Sequence, residues 1–131
     1  MKRSLLLAGL ASAILAAPAA SQPDWSRAER VTVSLSSFKF DPAQLRLKAG
    51  QPVILHLQNV GSGGHNFAAP AFFAAAAVRP QDKAKIAGGA VDVRGRSAVD
   101  VALVPAAGRY PLKCTHTLHS TFGMTGSIVV S

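Results

Sequence analysis

Tyr110–Gly126 reads YPLKCTHTLHSTFGMTG and lies between an alternating apolar segment and a Val-rich end, Ser127–Ser131 (SIVVS). It contains the only cysteine, two of the four histidines and one of the two methionines. Cys114, His119 and Met124 fall at the spacing Cys-x4-His-x4-Met. A thiolate, an imidazole and a thioether on one short loop form a soft donor set, suited to copper rather than to calcium or magnesium. One further imidazole would complete a His2Cys plane with a weak axial Met, the arrangement of an electron-transfer copper centre. His65, in GGHNF, is the candidate for that place.

Outward from this loop the chain alternates. Val31, Val33 and Leu35 alternate with Thr32, Ser34 and Ser36, and Leu45 and Leu47 with Arg46 and Lys48. The same period of two runs through Val53–Gln58, Val91–Val93, Val99–Leu103 and Tyr110–Cys114. Such alternation marks half-buried strands. Phe38 and Phe40 carry the next apolar positions after the first strand into Asp41-Pro42, a turn signal. Asn59–Gly64 reads as a flexible loop that delivers His65, and His56, on the polar side of its strand, as a surface histidine. PAFFAAAA, residues 70–77, is the one helix candidate, with Pro70 acceptable in the first turn. Residues 79–89 read as a polar connection with room for a second helical turn closed by Gly88. About seven short strands, close turn signals and one short helix after His65 predict an all-β fold, a Greek-key β-sandwich.

Residues 1–20 have the layout of an export signal: Lys2 and Arg3, an apolar run over Leu5–Ala17, then Ala17-Pro18-Ala19. The run is too short to span a bilayer, which needs ~20 apolar residues. The remaining 21–131 suits one domain large enough to bury a core without disulfides. An unpaired thiol in an exported, oxidising compartment calls for a reason, and serving as a metal ligand is one. The periplasm is the expected location. Removing Lys2 and Arg3 takes the formal charge from +8 to +6. Arg79, Lys83, Lys85, Arg94 and Arg96 crowd one interval, either as a docking face for an acidic partner or as a solvated basic rim. Export and the scarcity of aromatics point away from nucleic acid.

Three pieces of the chain resemble the cupredoxins, the small blue copper proteins that include plastocyanin, azurin and pseudoazurin. FKFDPAQLRLKAGQPVILHLQN resembles the family's early strands, GGHNF its first histidine followed by Asn, and GRYPLKCTHTLHSTFGMTGSIVV its end loop. The resemblance implies one copper ion held by His65, Cys114, His119 and Met124, with Asn66 and Thr115 joining the two ligand loops by hydrogen bonds. It implies a non-enzymatic monomer that passes single electrons to a transient redox partner. In the family the downstream histidine shows an edge at an apolar surface, and here Leu118 and Phe122 flank His119. His116 departs from the pattern and adds a further candidate ligand to the loop.

Other readings of the same residues stand beside this one. A copper carrier or chaperone would use the same ligands. An enzyme would use Cys114 as nucleophile with His116 or His119 as base, and a zinc site would take Cys114, His116 and His119.

Overall fold

The computed structural model describes residues 8–13, 22–116, 119 and 121–131. Most of the expected export signal (1–7 and 14–20) lies outside them, as does Leu118. The described chain runs through β1 (Glu29–Ser36), β2 (Lys39–Asp41), β3 (Gln44–Leu47), β4 (Val53–Asn59) and β5 (His65–Ala68). Next come α1 (Pro70–Ala75), β6 (Ala77–Val78), a 3-10 helix over Pro80–Lys85, and β7 (Ala90–Val93). β8 (Ala98–Val104), β9 (Gly108–Lys113) and β10 (Thr125–Val130) complete it.

These ten strands form two five-stranded sheets, ordered β2-β1-β4-β8-β6 and β3-β10-β9-β5-β7. Because β3 crosses to the second sheet before β4 returns to the first, β1 and β4 end up parallel; β3 and β10 are also parallel. The other ladders are antiparallel. Period-two sequence becomes period-two burial: Val53, Leu55 and Leu57 of β4 are buried, as are Leu45 and Leu47 of β3. The two inner faces meet in one cluster that includes Phe40, Phe67, Phe72, Leu112 and Ile128. Phe40 and Phe67 pack edge to face at 6.0 Å between centroids, a favoured aromatic geometry.

The β-sandwich with one short α-helix matches the fold read from sequence, with the additional strands being short. β5 has no alternation to detect, because all four of its residues are buried. The helix stops at Ala75 rather than Ala77: Ala77 and Val78 pair with Val104 and Leu103 instead. Strand pairing overrides the helix propensity of the alanine run there. Gly126 is required where β10 crosses the segment before β3, since a side chain would collide with the Ala43 carbonyl, which accepts the Ser127 N–H at 2.9 Å. His56 is half-buried, its Nδ1 2.6 Å from Asp100 Oδ1 and 2.8 Å from the Arg30 guanidinium.

The basic interval divides. Asp82 is 1% exposed and anchors the 3-10 helix to β8. Its Oδ2 accepts Arg79 Nε at 2.8 Å and the Ala102 N–H at 2.9 Å, and Lys85 Nζ lies 2.8 Å from Oδ1. Burial raises the Asp82 pKa, but the Lys85 ammonium, the Ala102 N–H and Arg79 outweigh it and leave the carboxyl below its ordinary value. Arg79 and Lys85 are therefore structural, whereas Arg94 and Arg96 remain exposed. A carboxyl with a lowered folded-state pKa stabilises fully above its unfolded value and loses that contribution as pH falls through the folded one. Asp82→Asn is expected to cost about 2 kcal/mol in urea unfolding at pH 7. It should also flatten the loss of stability that wild type shows below about pH 4.

Candidate metal centre

β4 ends at Asn59, a buried amide whose side chain organises the segment leading to His65. Asn59 Nδ2 donates to the carbonyls of Gly63 at 2.8 Å and Val93 at 3.0 Å, and Oδ1 accepts the Gly61 N–H at 3.0 Å. The 59–64 segment, which reads as flexible from its glycines, is thus tied at both ends. On its other side the Arg96 N–H donates to Gly61 O at 2.9 Å, and Gly95 leaves space for the Ser62 carbonyl that any side chain would strike. His65 then opens β5 opposite Val93, with 5% of its surface exposed.

Cys114 follows β9 directly and is fully buried. The loop after it is closed by backbone bonds: Cys114 N–H to Met124 O at 3.1 Å, His119 N–H to His116 O at 3.0 Å, and Met124 N–H to His119 O at 2.9 Å. These bonds place the imidazole of His119 inward over the sulfur.

Three donors converge. His65 Nδ1 lies 3.1 Å from His119 Nδ1, and Cys114 Sγ lies 3.3 Å from His119 Nδ1. All three ligand atoms fall within 4.8 Å of one another. Two nitrogen lone pairs and a sulfur at this range oppose each other unless a proton or a cation lies between them. The two distances to His119 Nδ1 fit a shared ion: bonds of about 2.0 Å to nitrogen and 2.3 Å to sulfur, meeting at about 100°, leave a nitrogen and a sulfur about 3.3 Å apart. Burial, then the neighbouring His119 and His116, lower the His65 pKa, which favours the neutral imidazole that coordination requires.

The supporting contacts join the same two segments. Asn66 Nδ2 donates to Thr115 Oγ1 at 2.6 Å, and the Thr115 N–H donates to Asn66 Oδ1 at 2.8 Å. The Asn66 N–H points to Cys114 Sγ at 3.5 Å and stabilises negative charge on the sulfur. Met124 is fully buried, and its backbone links His119 to Cys114. His116 lies beside the set: its ring is 5.5 Å from that of His119, and its Nε2 is 3.8 Å from Asp92 Oδ1.

Two residues at the site escaped the sequence reading. Asn59 looked like part of a glycine-rich loop, and the only clue was an amide two residues before a glycine. Phe38 reads from sequence only as the next apolar position before Phe40. Instead it takes a positive φ of 58° at the β1–β2 turn and is 41% exposed. A non-glycine residue in that region is strained, a condition that recurs at functional sites. Its ring meets His119 edge-on at 5.1 Å and Phe122 at 5.5 Å, and Phe122 is 63% exposed.

The cupredoxin-like domain model matches residues 5–130. Similar solved structures include the dithionite-reduced auracyanin of the photosynthetic bacterium Roseiflexus castenholzii: 17% identity, TM-score 0.57, 79% of this chain and 98% of that one. Auracyanin A of Chloroflexus aurantiacus, titled a "blue" copper protein, is 23% identical with TM-score 0.53, covering 78% of this chain and 99% of that one. A multi-copper oxidase of Pseudomonas thermotolerans is 21% identical with TM-score 0.63; the match covers 89% of this chain but 33% of that one. These likenesses show a shared fold. No curated protein matches the chain significantly.

Asn66→Ala would remove both hydrogen bonds that the buried Asn66 amide exchanges with Thr115. It is expected to destabilise the metal-free protein by about 1–3 kcal/mol, read as a lower urea midpoint with an unchanged m-value.

Proposed function

The chain belongs to the cupredoxin-like family, and from that premise we propose an exported type 1 copper protein that carries single electrons between redox partners. The observation that carries this reading is the convergence of His65 Nδ1, Cys114 Sγ and His119 Nδ1 within 4.8 Å. With Met124 as a weak axial donor, these residues would hold one copper ion. Bound copper supplies a one-electron couple, and a donor set of nitrogen, thiolate and thioether suits both of its oxidation states.

The protein's part is to hold that set still and to offer an exit. Burial keeps water from Cys114, and the Asn66 N–H favours the thiolate. His119 is the one member of the trio that is not buried, and it lies beside the exposed Phe38, whose ring also meets Phe122. A small aromatic patch around a ligand edge suits a transient encounter with a redox partner rather than a permanent interface. Arg94 and Arg96, on the turn packed against the segment before His65, would steer an acidic partner toward that region. The reading makes the mature protein a periplasmic monomer and a carrier, not a catalyst.

The copper-loaded protein is expected to be intensely blue or green, and Cys114→Ser to remove the colour. A colourless Cu(II) form of the intact protein would overturn the reading. A copper-delivery role has one observation in its favour, the surplus imidazole of His116 beside the donors. Reversible redox cycling without metal loss separates the two, since a delivery protein would release its ion to an acceptor. Phe38→Ala should slow electron self-exchange about tenfold while leaving the colour unchanged, as the loss of one aromatic contact at an encounter surface implies.

A further inference from the structure

Among the described residues, His116 and Asp92 are two chemistry-bearing side chains next to the centre that the three-donor set does not use. They come from distant places: Asp92 is on β7, at the edge of its sheet, and His116 is on the loop after Cys114. His116 Nε2 stands 3.8 Å from Asp92 Oδ1, Asp92 is exposed, and the His116 side chain is 37% exposed. Both line a cavity of about 250 Å³ whose wall also includes Gly64 and His65. Gly64 has no side chain to narrow it; a Cβ there would sit 3.5 Å from His116 Cε1. The cavity therefore has an imidazole and a carboxylate at its open side and a buried donor of the metal set along its wall.

We propose that His116 and Asp92 form an outer cation site through which the buried donors are loaded; the proposal rests on the copper reading above. A nitrogen and an oxygen 3.8 Å apart can share a copper or zinc cation at bonds of about 2.1 Å only at a wide angle, about 130°. That leaves the other coordination positions to water, so the outer site is weak. Arg94, which lines the same cavity, opposes a cation and weakens it further. Weakness suits transit: the imidazole and carboxylate exchange for the His65 imidazole and the Cys114 thiolate, and the ion gains softer, better-buried donors. No electron moves in this step. Since His116 and His119 are ring neighbours at 5.5 Å, the path from outer to inner site is short.

The test uses the full mature protein freed of metal, mixed with Cu(II) in a stopped-flow instrument while the copper–thiolate colour develops. His116→Gln and Asp92→Asn should each slow colour development about tenfold and leave the final spectrum unchanged. Calorimetric titration of the copper-loaded protein with Zn(II) should show a second, weak ion in wild type and its loss in either variant. Wild-type loading rates in both variants, with no second zinc ion bound, would overturn the outer site while leaving the copper reading intact. Failure of the wild-type protein to take up copper at all would instead sink the reading on which the proposal rests.

Discussion

The metal centre depends on one clamp. Asn66 and Thr115 exchange two hydrogen bonds, 2.6 and 2.8 Å long, across 49 residues of chain. The clamp matters because the ladder beneath it is thin: β5 and β9 share a single register pair, Ala68 with Lys113. Backbone pairing alone would leave the His65 end of β5 loosely placed against Cys114. A ligand set requires placement within about 0.5 Å, and a side-chain amide that both donates and accepts supplies it. The backbone N–H of Asn66 extends the same contact to the Cys114 sulfur.

Around the clamp the structure divides its polar groups by purpose. Asn59 fixes the entry to β5 from behind, and the Cys114–Met124 and Met124–His119 backbone bonds fix the loop from in front. Away from the centre, Asp82 does comparable work for the 3-10 helix, binding Arg79, Lys85 and the β8 backbone at once. Such buried polar groups hold geometry because leaving any of them unmatched costs more than the bond itself contributes. Strain appears instead at the surface, where Phe38 adopts a left-handed backbone and lays its ring against His119. That contact joins the buried donors to the face a partner would meet.

The legible parts of the chain were those with a local physical signature. Alternation named the strands because burial on a pleated sheet repeats every two residues. β5 was not legible, since burial on both faces erases the period. The Cys-x4-His-x4-Met spacing singled out the loop whose Cys114 and His119 the fold brings beside His65, because residues on one loop have a fixed reach. The partition of the five clustered cations was hidden: nothing in their spacing says that Arg79 and Lys85 close on Asp82 while Arg94 and Arg96 stay in solvent.

The sequence by itself determined which soft side chains one loop carries, at Cys114, His119 and Met124, and a sandwich of short strands, since these follow from residue chemistry and short-range periodicity. The tertiary structure decided that His65 meets that loop, that His116 turns toward Asp92, and that Phe38 covers an edge of His119. Those pairings join residues from about 25 to 80 positions apart, where only the order and register of packed strands determine which side chains become neighbours.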